Sequence, residues 1–208
     1  SRARLVSVAG RDLSSKIIAQ FLSQYDVDDS VIIDASRKTT TKTRLKCEGK
    51  TLLRVSDLIE DQISKNMTLN VIAEVKKHIV STNVIIFSDF NYGILPQYLV
   101  EELSKLAFKK GVITTADSQS SSQFGDISRF KNMSLITPTE HEARLALNDK
   151  ESGIVSVAYK LIKKSKAKNA FITLGEDGVL IQDGKNVESA DGVDRLPALS
   201  KICRDNSG

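Results

Sequence analysis

The sequence predicts an α/β fold, with a mainly parallel sheet flanked by helices on both faces and a small antiparallel β-flap. Three observations predict it. Short apolar runs alternate with helix-spaced segments from residue 58 to residue 182, the pattern of strands joined by crossover helices. Residues 39–57 instead alternate polar and apolar positions around Glu48-Gly49-Lys50, which reads as a hairpin. Finally, polar, turn-forming residues follow each of four apolar runs, and such runs end together on the ligand-binding edge of an open parallel sheet.

The elements follow in order. "RLVSVAG" and "RDLSSKIIAQFLSQY" read as a strand and its crossover helix. The hairpin "TTTKTRLKCEGKTLLRVSD" comes next, with Lys42, Arg44 and Arg54 among apolar residues. It is either a half-exposed hairpin with charged outer positions or an anion-facing lid over a phosphorylated substrate. "LNVIAEVKKHIV" places Val71, Ile72, Val75 and Ile79 at helical spacing. "VIIFSD" is a continuous apolar run, as expected of a strand buried on both faces. Pro96 then opens a helix that keeps Leu99, Val100, Leu103, Leu106 and Ala107 on one stripe and stops at Gly111. "VITTAD" and "SLITP" read as strands, "TEHEARLAL" and "GIVSVAYKLIKK" as helices, and "NAFITLG" as a further strand. Between them, "DSQSSSQFGDISRF" (Asp117 to Phe130) reads as a long polar loop.

Composition bounds the function. The 208 residues, 40% hydrophobic and 27% charged, suit one domain spanning residues 1–208, with 39–57 as its lid. The net charge of +4 is scattered over helix faces, and there is no Trp, which argues against a nucleic-acid partner. Cys47 and Cys203 lie far apart, as in a protein of a reducing compartment, here the cytoplasm. His78 and His141 lack the spacing of a transition-metal site. No apolar run has the length of a membrane span, and Ser1 opens no signal peptide. A chain that starts with Ser rather than Met is expected to be part of a longer one.

Four strand-end motifs are candidates for chemistry: "SDFNYG", "ADSQ", "TPTEHE" and "TLGEDG". Thr139 and Glu142 have capping-box spacing, and the same helix start could face a nucleotide's phosphates, with Glu142 organising magnesium-bound water. Thr173 and Gly175 could approach a phosphate chain, or Gly175 and Gly178 could simply permit a tight turn. Asp89 and Asp117 each end a strand, where a carboxylate caps the next loop or acts on a ligand. No G-x-x-x-x-G-K-[ST] sequence is present, which excludes a P-loop.

Taken in order, "TTTKTRLKCEGKTLLRVSD", "IIFSDFNYGILP", "LITPTEHEA" and "FITLGEDGVLI" resemble the ribokinase-like (PfkB) carbohydrate kinases over nearly the whole chain. The likeness is nearest to the kinase domain of bifunctional heptose-phosphate kinase/adenylyltransferases. The resemblance implies ATP-dependent phosphorylation of a sugar or sugar phosphate, with magnesium. Thr139, Glu142, Thr173, Gly175 and Gly178 would hold the nucleotide, and Lys42, Arg44 and Asp89 the substrate. Glu142 and Asp205 would hold the metal. "DNSG", Asp205 to Gly208, is similar to the first four residues of the family's D-x-[ST]-G-A-G-D segment. Gly208 would then begin the anion-hole turn, and the catalytic Asp, the general base, would lie beyond it. The chain departs from the family pattern at Thr139, where Asn is usual, and at Tyr92 and Gln119, where heptose-type kinases show Lys. A fold kept only to bind a ligand or scaffold a partner is the alternative. The flap's free edges and apolar face would suit a homodimer.

Overall fold

The computed structural model describes residues 2–48, 50–119, 125–186 and 192–199. The chain divides into two compact units, Ser1–Val80 with Tyr92–Leu99, and Ser81–Asn91 with Val100–Gly208.

In the first unit, β1 (Ala3–Ala9), α1 (Leu13–Gln24) and β2 (Val27–Ile33) form one strand–helix–strand crossover. The strands pair in parallel from Ala3↔Val27 to Ala9↔Ile33. Asp12 starts α1 by accepting from the Ser15 N–H at 3.0 Å. Its carboxylate also takes the Thr39 N–H at 2.7 Å and the Thr39 hydroxyl at 2.8 Å. The Gly10 N–H donates back to Thr39 Oγ1, and a side chain on Gly10 would collide with the Arg37 and Thr39 backbone. This knot fixes where the chain passes from the crossover into the hairpin. The hairpin is β3 (Thr41–Cys47) against β4 (Lys50–Asp57), antiparallel as the alternation predicts. It makes a two-stranded sheet of its own instead of branching from the main one. In α2 (Lys65–His78), capped by Ser64, Thr68, Val71 and Ile72 are buried.

The second unit holds a six-stranded sheet in the order β10-β9-β8-β7-β6-β5. Its strands are β5 (Val84–Asp89), β6 (Ile113–Ser118), β7 (Leu135–Ile136), β8 (Asn169–Thr173), β9 (Val179–Asp183) and β10 (Val193–Leu196). β5 to β8 run parallel, and β9 and β10 turn back antiparallel. The connecting helices are α3 (Gln97–Lys110), α4 (Glu140–Leu147) and α5 (Ile154–Ser165), at the places the periodicity predicts.

One row of register explains the core. Phe87, Ala116, Ile136, Ala170 and Gln182 are successive cross-strand partners, and all are buried. α4 and α5 pack against β8, and α5 against β9. Parallel crossovers that step in one direction place their helices on one face because the crossover hand is fixed. The other face shows what "VIIFSD" does not reveal. Ile86 is 67% exposed, and Val84, Ile113 and Phe171 are also exposed, so β5 is covered on one face among the described residues. The polar loop after β6 is likewise shorter than its composition suggests. Residues 127–129 form a 3₁₀ turn capped by Asp126, and Ile127 and Phe130 are buried core residues.

Candidate functional site

The carboxyl ends of β5 to β8 lie side by side, so the sheet itself assembles the second unit's strand-end residues. An isolated parallel bridge joins Thr139 to Thr173, and the Thr173 N–H donates to the Pro138 carbonyl at 2.9 Å. This brings two expected nucleotide-binding positions together. Thr139 begins α4 through a complete capping box. The Glu142 N–H donates to Thr139 Oγ1 at 3.2 Å, and the Thr139 N–H donates to Glu142 Oε2 at 2.8 Å. Both side chains are therefore engaged at the helix start, and Glu142 is only 8% exposed.

Beside them stands Asp117, at the end of β6. Burial, and secondly the nearby Glu142 carboxylate, push its carboxyl above the ordinary value, while the Thr137 hydroxyl at 3.4 Å opposes the shift. A half-buried carboxyl group beside another carboxylate, at a helix start on a strand-end edge, attracts a cation or a proton. No group of three or more His, Cys, Asp or Glu able to hold a metal occurs among the described residues. Two carboxylates are, however, what magnesium takes when substrate phosphates and water complete its shell.

The glycines separate. Gly175 opens a 3₁₀ turn directly after β8 at φ 62°, with open space where a side chain would point. Gly178, at φ 92°, is crowded by the backbone of Leu196 to Ala198, so packing accounts for it. Asp89 is also accounted for by structure. It is 4% exposed and accepts from Arg129 at 2.7 Å, the Asn91 N–H at 2.9 Å and the Ser118 hydroxyl at 3.4 Å. The Arg129 guanidinium also stacks on Phe130 at 4.3 Å. Gln119 closes this corner by donating its N–H to the Asp89 carbonyl. Sequence reasoning missed Arg129 because it sits in a segment whose Ser-rich composition masks its packing.

In the first unit, Lys42 and Arg44 stand on one face of β3. Arg44 lies directly opposite Arg54, and Lys42 opposite Ser56. The other face carries Leu45 opposite Leu53, with Val55 beside them, all exposed. Directly opposed like charges destabilise a hairpin, and an anion on that face would relieve them. A cleft of about 530 Å³ opens at the base of the hairpin, lined by Arg11, Asp12, Arg37, Lys38, Asp57 and Ile59 among others. Asp205 and Gly208 lie outside the described residues.

Residues 1–196 match the family described as pfkB family carbohydrate kinase. The chain belongs to that family. Among curated relatives, the bifunctional protein HldE of Sulfurimonas denitrificans is 27% identical over 188 residues, covering 88% of this chain and 38% of that protein. HldE of Helicobacter acinonychis is 30% identical over 179 residues, covering 84% and 38%. This pfkB-family chain thus spans well under half the length of these relatives. Among solved structures, the ribokinase of Giardia lamblia superposes with a TM-score of 0.73 at 16% identity, over 97% of this chain and 60% of that one. Phosphofructokinase-2 of Escherichia coli, in complex with fructose-6-phosphate, gives 0.69 at 14%, over 98% and 64%. The fold is therefore ribokinase-like α/β. No described helix of this family member is long and apolar enough to cross a membrane.

Proposed function

We propose that the protein is an ATP- and magnesium-dependent kinase of a sugar phosphate, of the heptose-phosphate type, working in the cytoplasm. The observation that carries the reading is the strand-end row of Thr139 bridged to Thr173, with Glu142 at the same helix start and Asp117 hydrogen-bonded to Thr137 within reach of the Glu142 charge. Asp117 and Glu142 would hold magnesium, which when bound to ATP neutralises charge on the transferred phosphoryl. The start of α4 directs backbone N–H groups toward the same edge and favours an anion. Thr173 and Gly175 leave room for a phosphate chain, because nothing stands where a Gly175 side chain would be. On the hairpin, Lys42, Arg44 and Arg54 would receive the substrate's phosphate, and closure of the hairpin would exclude water. Deprotonation of the sugar hydroxyl falls to the aspartate that the resemblance places after Gly208, and the anion hole to the turn that Gly208 begins; Asp205 would stand beside the metal. The exposed Leu45, Leu53 and Val55 face of the hairpin suits pairing with a second copy, and nothing favours a nucleic-acid partner.

The experiment is coupled ADP release by the full-length protein with magnesium, ATP and a panel of neutral sugars, hexose phosphates and heptose phosphates. Turnover with at least one phosphorylated sugar is expected. Ligand binding without turnover of any sugar would instead favour a binding or scaffolding domain.

A further inference from the structure

We infer that Tyr92 positions the flap's Lys42 for an anionic substrate group, and thereby sets the preference for phosphorylated over neutral sugars. The inference rests on the kinase reading above and assigns to it a residue that the strand-end row does not contain.

The Lys42 ammonium stands over the Tyr92 ring, 5.0 Å from its centroid, within the range where a ring face attracts a cation. The attraction answers a need of the hairpin. Lys42 shares its face of β3 with Arg44, and Arg54 lies directly across from Arg44. Three like charges on one face repel, and a lysine stem has enough rotatable bonds to carry its charge away into water. A ring face beneath the ammonium opposes that escape and holds the charge near the hairpin.

A platform works only if it is held in place, and the backbone that carries Tyr92 is. Its carbonyl accepts from Arg37 Nη2 at 3.1 Å, and the same guanidinium nitrogen reaches the Ile59 carbonyl at 3.4 Å. The next residue, Gly93, has φ 75° and accepts from the Ile63 N–H at 3.0 Å. A side chain there would collide with the backbone of Asp61 and Gln62, so only glycine lets the loop lie this close. Arg37 and Gly93 thus fix the backbone that carries the ring on which Lys42 rests. A phosphate needs the ammonium in one place, whereas a neutral sugar gains little from it.

The test compares Tyr92→Leu with Tyr92→Phe in the full-length protein. Loss of an exposed cation–π contact predicts a KM for the phosphorylated sugar about two- to fivefold higher in Tyr92→Leu. The rise lies in KM rather than kcat and is absent for a neutral sugar, and Tyr92→Phe restores the original value. In a Lys42→Gln background, Tyr92→Leu has no further effect. An equal rise for neutral and phosphorylated sugars, a fall confined to kcat, or an undiminished effect in the Lys42→Gln background overturns the inference. A second readout needs no turnover. Ring current shifts the Lys42 ε-methylene resonance upfield in the unmutated and Tyr92→Phe proteins but not in Tyr92→Leu; absence of that shift in the unmutated protein also overturns it. If the unmutated protein phosphorylates no sugar, the kinase reading fails alone. Titration of inorganic phosphate, followed at Lys42, then decides: weaker binding in Tyr92→Leu supports the positioning role, and equal binding refutes it.

Discussion

Helices α1 and α5 are each 12 residues long, and each carries an apolar stripe at helical spacing. α5 buries Val157, Ala158, Leu161, Ile162 and Ser165, whereas no residue of α1 is buried. α5 packs against α4, β8, β9 and the 3₁₀ turn at residues 127–129, whereas α1 packs chiefly against β2. Along α1, Leu13, Ile17, Phe21 and Tyr25 follow one another at four-residue intervals and remain exposed. Periodicity decides which side chains share a face; the connections around the helix decide what covers it.

The largest effect is expected on α5. Leu161 is 0% exposed, so Leu161→Ala should cost about 3–5 kcal/mol through lost transfer energy and the cavity left behind, read as a lower urea midpoint. A cost below about 1 kcal/mol would mean that α5 is not the anchor that its burial indicates.

Asp89→Ala should come second, at about 2–3 kcal/mol. Removing one partner of a buried ion pair commonly costs more, but Arg129 keeps partial access to water. Asp89→Ala with Arg129→Ala should cost less than the sum of the two single changes, because neither charge is then stranded. Additive costs would show that the pair is not coupled.

Asp117→Asn should have a smaller effect of opposite sign. The Asp117 pKa is raised above its ordinary 3.8, so the folded state holds this proton more tightly than the unfolded state. Its ionisation therefore removes stability as pH rises through the raised value, and below about 3.8 there is no penalty to remove. The variant should melt higher than the parent at pH 7, with the gain shrinking toward pH 4. An equal gain at both pH values would assign the effect to something other than the charge.

The smallest effect closes the comparison. Phe21 is 53% exposed and stacks on Tyr25, the residue that caps the end of α1, at 6.4 Å between centroids. Phe21→Ala should change the urea midpoint by no more than about 0.5 kcal/mol. A cost near that of Leu161→Ala would erase the distinction between the two helices.

Much of the molecule was legible because its signals are local. The capping box at Thr139 and Glu142 needs only four consecutive residues, and the structure forms both of its hydrogen bonds. The hairpin of residues 39–57 announced itself by alternation, and α2 to α5 by their spacing. The partnership of Asp89 with Arg129, 40 positions away in sequence, was not legible, since no local pattern links a strand-end carboxylate to a guanidinium in a polar segment. Nor was the packing role of Gly178, which depends on the backbone of residues 196–198.

Most helices, the hairpin, the strand-end motifs and the family resemblance follow from the amino-acid order alone, because periodicity and turn chemistry act over a few residues, whereas β2 and β10 were not read from it. Tertiary contacts settle which face of β5 is covered, that the two strands of the flap pair with each other, and that the ammonium of Lys42 rests on the ring of Tyr92. Those outcomes depend on crossover direction, cross-strand register and the close backbone approach that Gly93 allows, which bring together residues far apart in the chain.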